Sequence, residues 1–298
     1  MFEKSKIGLA LSGGGMKAFV QIPFIEFLQQ HKIKIDIIAG TSMGSVVGSL
    51  LACGANSDQL SEIMLEIEEY FNENQIFFRP NLKVLPFAKE RIDGFVDGNE
   101  LEVILDKHYQ KFKVINIKDC KIPIVVNAVD LNTGKIVIFT SNAELFNKRL
   151  DWIIIDDVQL STAVRASCSL PLVFSTKRYQ DLKLVDGGIL MNLPIQPCKE
   201  MGADHVISVS MFDEQVTNVN DSMISVMMRS IEIFAHANRQ LNIHEGDYNF
   251  NVPTAQYNLL DVGKGNEIIQ YSKEHINREK MKIIKTVNQW QQPLKFLR

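Results

Sequence analysis

An excess of charge of either sign is missing from this sequence: 32 lysines and arginines stand against 35 aspartates and glutamates, a net charge of −3 over 298 residues. Without a basic field there is nothing to gather nucleic acid, and no such partner is expected. Cysteine is scarce as well. The four, Cys53, Cys120, Cys168 and Cys198, lie far apart and form no Cys-x-x-Cys pair. That argues against a disulfide framework or a cysteine zinc site and favours a reducing, cytoplasmic setting. Long apolar runs are absent too. The start, MFEKSKIGLALSGGG, sets two lysines before apolar residues, but the apolar part ends at Leu11. A secretory core needs about 7–15 such residues and a spanning helix about 20. With no linker, repeat or low-complexity tract to divide the chain, one domain over residues 1–298 is expected.

What is present is the composition of a folded globular chain, 46% hydrophobic and 22% charged. Strand and helix patterns alternate along it. IGLALS (7–12) reads as a buried strand, followed by a helix from about Met16 to Lys32 with a kink at Pro23. KIDIIAG (34–40) is a second strand, and the helix after it stops at Gly54. Residues 57–71 place Leu60, Ile63, Met64, Ile67 and Phe71 on one helical face. Strands follow at 122–129, 135–140, 182–186 and 205–210, with helices at 156–167 and 221–241. Apolar strands separated by helices predict an α/β fold with a mainly parallel sheet covered on both faces. The stretch 72–112 breaks this rhythm with Ile76, Phe77, Phe78, Leu82, Val84, Leu85 and Phe87. It reads as an irregular insertion packing a small core of its own, or as a lid over a site.

Two strand-to-helix turns carry chemistry. Gly40-Thr41-Ser42-Met43-Gly44 is a Gly-x-Ser-x-Gly pattern, in which a serine at a sharp turn is exposed and the flanking glycines remove clashing side chains. The plainer reading of Ser42 is a helix N-cap. The second turn, Ser12-Gly13-Gly14-Gly15-Met16-Lys17-Ala18, fails as a phosphate-binding P-loop because Met16 and Ala18 stand where glycine and Ser/Thr are needed. It fits the loose dinucleotide fingerprint, but Asp36, at the right distance for the ribose, sits at the start of the next strand instead of its end. A third reading is an oxyanion hole, in which glycines let backbone N–H groups share a cavity.

A serine nucleophile needs a base. The six histidines, His31, His108, His205, His236, His244 and His275, stand in no motif-like setting at a strand end and read as surface or capping residues, with His244 the first suspect if one is catalytic. Asp186 is the better candidate. It ends the strand LKLVD and is followed by Gly187-Gly188, which puts its carboxylate at a tight turn on the same sheet edge; the plain alternative is an Asx turn. Asp130 also ends a strand, and the hairpin Leu131-Asn132-Thr133-Gly134 accounts for it.

SGGGMKAF (12–19), GTSMG (40–44), RASCSLPLVF (165–174) and VDGGILMNLPI (185–195), in that order, give the chain a sequence that resembles the patatin-like phospholipases over residues 5 to 210. The resemblance implies a three-layer α/β/α sandwich, Ser42 as nucleophile and Asp186 as its base without a catalytic histidine. It makes Gly13, Gly14 and Gly15 the oxyanion loop, with Gly40, Gly44, Gly187 and Gly188 shaping the turns. The family usually continues its glycine loop with arginine and glycine. Lys17 and Ala18 stand there, so a phosphate contact keeps its charge but loses the bidentate fork. The expected activity is hydrolysis of fatty-acyl esters of phospholipids or lysophospholipids, with no cofactor and no metal. Related transferases that use thioester donors carry a histidine before the serine, where this chain has Thr41. A dinucleotide-binding module is the non-enzymatic alternative.

The C-terminal part, 221–298, reads as helical. Met223, Met227, Ile231 and Phe234 fall on or near one face of the first helix, for which core packing is the plain role and an acyl-chain surface or homodimer contact the alternative. The basic tail NREKMKIIK reads as a solvated face, with peripheral membrane attraction as its functional alternative.

Overall fold

The computed structural model describes residues 5–73, 93–146, 149–212 and 223–291. The strands of its central sheet are β1 (Ile7–Leu11), β2 (Ile37–Thr41), β4 (Ile124–Asp130), β5 (Ile136–Thr140), β6 (Ile153–Ile155), β10 (His205–Ser210) and β11 (Tyr248–Asn251). They lie side by side in the order β11-β10-β1-β2-β4-β5-β6. From β11 to β4 every neighbour is parallel. β5 pairs antiparallel with β4 through the hairpin expected at Asn132–Gly134, and parallel with β6. Two further strands, β8 (Lys177–Tyr179) and β9 (Leu182–Asp186), form an antiparallel pair hung on the far end of β4.

Alternation along the strands divides the core in two. Leu9, Leu11, Ile38, Val126, Ile207 and Val209 face one side, where α1 (Gln21–Gln30), α2 (Met43–Cys53), α3 (Ser57–Glu73), α4 (Asn99–Lys111), α5 (Leu160–Ser167) and α8 (Gly265–Gln291) pack. Ala10, Ile37, Ala39, Val125, Ile138 and Val206 face the other, covered by α6 (Ile195–Glu200) with Phe146, Trp152, Met191 and Leu193. The result is a three-layer α/β/α sandwich of unequal layers. Small residues, Ala10 and Ala39, mark the thin side, where a six-residue helix suffices.

Three expectations change. The helix from Met16 to Lys32 is a 3-10 turn, Gly15–Val20, that passes into α1. Pro23 therefore sits in the first turn of α1, where a missing N–H leaves no bond unmade, so it starts a helix instead of kinking one. Of the stretch 72–112, residues 74–92, with Ile76, Phe77, Phe78, Leu82, Val84, Leu85 and Phe87, lie outside the described residues. The remainder is regular: β3 (Gly94–Val96) pairs with β7 (Leu172–Phe174), and α4 sends Leu101, Leu105 and Tyr109 into the main core instead of a separate one. Finally, α7 (Met223–Asn242) does not pack Met227 and Phe234 inward; they are 41% and 65% exposed. Met228 supplies the core contact.

Among the described residues no helix is long and apolar enough to cross a membrane. On α8, Ile283 and Val287 are buried while Lys280, Lys282 and Lys285 are exposed.

Candidate active site

The two glycine-bearing turns leave adjacent parallel strands, Leu11 of β1 standing opposite Gly40 of β2. Both therefore open at the same sheet edge. Ser42 follows β2 and is held at φ 51, ψ −132, a left-handed backbone that a non-glycine residue adopts at a cost of about 1–3 kcal/mol. Gly40 and Gly44 make that turn geometrically accessible. A methyl group at Gly40 would lie 2.6 Å from Gly44 O, and one at Gly44 would lie 2.4 Å from Ser12 O. The strained serine is clamped from outside, its N–H donating to Ser167 Oγ at 2.8 Å.

Although Ser42 occupies the N-cap position of α2, its hydroxyl does not cap the helix. Ser42 Oγ instead donates to Asp186 Oδ2 at 2.6 Å. Asp186 reaches it by a route the sequence does not announce. β4 overshoots β2, whose last residue Thr41 pairs with Asn127, and antiparallel β9 returns along the overshoot until Asp186 stands opposite Ala128. The aspartate thus enters from above the sheet edge, on a strand running against its neighbours. Its N–H donates to Ser169 O at 3.0 Å, and Oδ1 accepts from Gly188 N at 2.8 Å. The Asx turn is real, and it leaves Oδ2 for Ser42. Gly187 is pressed against Asn127, whose carbonyl oxygen would be 2.4 Å from a methyl there.

Asp186 is 3% exposed. Burial pushes its carboxyl up to about 6, against the opposing pull of the Ser42 hydroxyl and the Gly188 amide. A carboxylate in that range is a far better proton acceptor near neutrality than an ordinary one. Among the described residues neither Ser42 Oγ nor the Asp186 carboxylate has a histidine partner. His31 bonds Phe27 O, His205 lies 3.5 Å from Asp247 and stacks on Trp290, and His236 stacks on Phe212. His108 departs from the surface reading: it is fully buried near Glu66, and burial lowers its pKa. His244 lies in a 3-10 turn, Ile243–Glu245, after α7.

The glycine loop is divided in use. Gly13 N donates to Asn192 O at 3.1 Å, and Met16 N to Leu259 O at 2.8 Å. Gly13 is therefore a tie to the fold, lying against Ser42 Cβ, and its N–H is not available to an oxyanion. The N–H groups of Gly14 and Gly15 have no hydrogen-bond partner among the described residues. Gly15 holds φ +56 with Leu259 O pressed against it. Lys17 is half-buried in the 3-10 turn that follows. Asp36 stays at the opposite end of β2, accepting from Ile7 N and Lys34 Nζ, away from the loop a dinucleotide would need it beside. No group of three or more His, Cys, Asp or Glu side chains is placed to hold a metal ion among the described residues.

Sequence reasoning passed over the supports. Thr41 Oγ1 donates to Asn127 Oδ1 at 2.6 Å, Asn127 Nδ2 donates to Met191 O at 2.9 Å, and Asn192 Nδ2 lies 3.4 Å from Gly13 O. Arg165, buried, donates to Gly98 O, Asp97 O, Ser169 Oγ and Ser175 O and so fixes the segment bearing Ser167 and Ser169. The blocks RASCSLPLVF and VDGGILMNLPI contain five of these residues. Asn127 had no signal beyond its place in an apolar strand.

Known proteins resemble the chain in both sequence and fold. Over 294 residues the chain is 25% identical to lysophospholipase NTE1 of Candida albicans, covering 90% of this chain and 19% of that protein. It is 27% identical over 217 residues to an uncharacterized NTE family protein of Mycobacterium tuberculosis, covering 73% and 52%. The chain thus spans between about a fifth and a half of these relatives. Human GIVD cytosolic phospholipase A2 shares the fold, with a TM-score of 0.52 at 10% identity over 96% of this chain and 60% of that one. The model of the patatin-like phospholipases matches residues 9–199, most of the sheet and both glycine turns, and the chain belongs to that family.

Proposed function

We propose that the chain is a serine acyl hydrolase that cleaves fatty-acyl esters of phospholipids or lysophospholipids through a dyad of Ser42 and Asp186. The observation that carries this reading is the 2.6 Å hydrogen bond from Ser42 Oγ to a buried carboxylate whose pKa is raised to about 6. Asp186 takes the hydroxyl proton as Ser42 Oγ attacks the ester carbonyl. The N–H groups of Gly14 and Gly15 receive the negative charge that builds on the carbonyl oxygen, and the N-terminus of α2 adds its positive end. Asp186 returns the proton to the leaving alcohol. Water then attacks the acyl-serine, Asp186 accepting its proton and passing it to Ser42 Oγ as the acyl–oxygen bond breaks, so that the fatty acid leaves and the free serine is restored. Lys17, two residues beyond Gly15, supplies positive charge for a head-group phosphate. The lysophospholipase name of the Candida relative supports the same substrate class.

The test is incubation with a defined phospholipid and the matching lysophospholipid, with mass spectrometry of the released fatty acids. Release from either, abolished in Ser42→Ala, is expected. No release from either, with a fluorophosphonate probe failing to label Ser42, would reject the reading.

A further inference from the structure

Helix α7 turns its uncharged face outward. Over residues 226–238, where side-chain exposure is described, the exposed residues are Val226, Met227, Ser230, Ile233, Phe234 and Ala237, spaced by three and four so that they form one stripe. Val226, Ile233 and Phe234 are 52%, 52% and 65% exposed. The charged, imidazole and amide side chains of residues 226–238 lie off this stripe. Arg229 and Glu232 pair with each other at 3.0 Å on the half-buried flank, His236 stacks on Phe212 with ring centroids 3.7 Å apart, and Asn238 Nδ2 donates to Ile189 O at 2.6 Å. A helix lying on a globular surface normally shows the reverse polarity. Single exposed apolar side chains need no account, but a contiguous stripe marks a surface made to be covered.

The place of the helix says what covers it. Ile189 closes the turn that begins at Gly187, immediately after Asp186, and Leu190, itself 38% exposed, follows. Phe212 follows Met211, whose side chain lies against Gly14. The anchors of α7 are thus the turn of the base and the neighbour of the glycine loop, which puts the helix beside the site with its apolar stripe on the outer side. A second copy of the chain is a poor occupant. A 20-residue helix is about 30 Å long, and one stripe of it offers roughly 300 Å², well under the ~800 Å² per partner of a stable dimer. A lipid surface asks for no matching partner, only for uncharged side chains that enter the acyl boundary by about 5–10 Å.

We propose that α7 is an interfacial docking helix that lays Val226, Met227, Ile233 and Phe234 into a phospholipid surface and so presents lipid to Ser42. This rests on the reading of the site as a lipid acyl hydrolase, and the stripe's lack of charge makes the attachment apolar, not electrostatic.

The experiment is sedimentation of the full chain, made inactive by Ser42→Ala, with vesicles of phosphatidylcholine alone. Each large apolar side chain withdrawn from water is worth about tenfold in partition or more. Changing Ile233→Glu and Phe234→Glu together should therefore weaken vesicle binding about 100-fold, and Val226→Glu with Met227→Glu should act similarly. Raising the salt concentration should leave binding unchanged. In the chain with Ser42 intact, both double variants should keep turnover of a soluble short-chain aryl ester. Vesicle binding unaffected by both double variants would overturn the proposal, as would a wild-type dimer that either variant splits in sedimentation velocity. Loss of soluble-ester turnover in both would also overturn it, since the helix would then serve the site itself. Binding that depends on α7 in a protein that hydrolyses no lipid would sustain the docking helix and reject the acyl-hydrolase reading.

Discussion

Asp130 and Asp186 are the same residue in nearly the same situation, and they differ in everything that matters chemically. Both end strands, on paired neighbours, and they are 1% and 3% exposed. Around Asp130 burial raises the pKa, but hydrogen bonds from the Thr133 hydroxyl and from the Lys183, Asn132 and Thr133 amides outweigh it, and the net shift is downward. Both carboxylate oxygens are occupied by turn and strand donors. Asp186 has one amide, from Gly188, and one hydroxyl, from Ser42, and burial wins, to about 6. Burial alone does not make a base. What separates the turn aspartate from the proposed proton acceptor is a site set deeper in the protein, fewer donors to offset that burial, and a last donor, Ser42, that is the proposed nucleophile.

The largest expected effect tests that nucleophile. Ser42→Ala should lower turnover by at least about 10⁴-fold and abolish labelling by a fluorophosphonate probe, with the circular dichroism unchanged. Persistent labelling at another serine would remove Ser42 from the mechanism. Next comes the base. Asp186→Asn keeps shape and one acceptor, and should lose about 10²–10⁴ in kcat, whereas Asp130→Asn should keep activity within a few-fold. Equal losses from the two would erase the contrast between them. Single substitution of the six histidines should leave most activity in place, and one as indispensable as Ser42 would make the site a triad.

Smaller effects sharpen the same contrast. Gly14 has an extended backbone, φ 169, which any residue adopts, so a side chain there acts by crowding, with Met211 Sδ 2.5 Å from the first carbon. Gly14→Val should lower kcat by about 10²–10³ with KM much less affected, as for a lost oxyanion donor. The pH dependence follows from the base. kcat/KM should rise about tenfold per unit up to about 6 and then level, because Asp186 must be ionised to accept the proton. A plateau that already begins near the ordinary carboxylate range would mean that another group is the base.

The turns at Ser42 and Gly13–Gly15 were legible in the sequence because local chemistry alone demands their residues: a strand, a small-residue turn, a helix. That β1, β2, β4 and β10 run parallel followed from continuous apolar strands separated by helices, whereas their order in the sheet did not. The short strands β3, β6, β7, β8 and β11 were not legible, since three- and four-residue segments carry too little periodicity. The course of β9 was hidden for a different reason. Its composition fits either direction, and only pairing with the overshoot of β4 turns it antiparallel and delivers Asp186 to Ser42. The division of the glycine loop was equally hidden, because whether an N–H is free depends on Asn192 and Leu259, far away in the chain. α7 misled because its pattern is amphipathic, and a pattern cannot say which face looks inward.

The smallest effect is on stability, and it should change sign between the two aspartates. Asp130 has a folded pKa below its unfolded one, so its contribution is present above the unfolded value, near 3.9, and is lost as pH falls through the folded value. At pH 7, Asp130→Asn should therefore destabilise, by about 1–3 kcal/mol for hydrogen bonds to a charged group. Asp186 is the reverse case. Its folded pKa is raised, so the contribution is present below about 3.9 and is lost as pH rises through about 6. At pH 7–8 the ionised Asp186 is a liability of at most about 3 kcal/mol. Asp186→Asn should then be more stable than wild type above pH 6, with the gain fading between pH 6 and 4. Urea unfolding of wild type and both variants at pH 4, 6 and 8 measures this directly. A destabilised Asp186→Asn at pH 8 would mean that the carboxylate is stabilised by its surroundings as Asp130 is, and the argument for it as a proton acceptor would lose its physical basis.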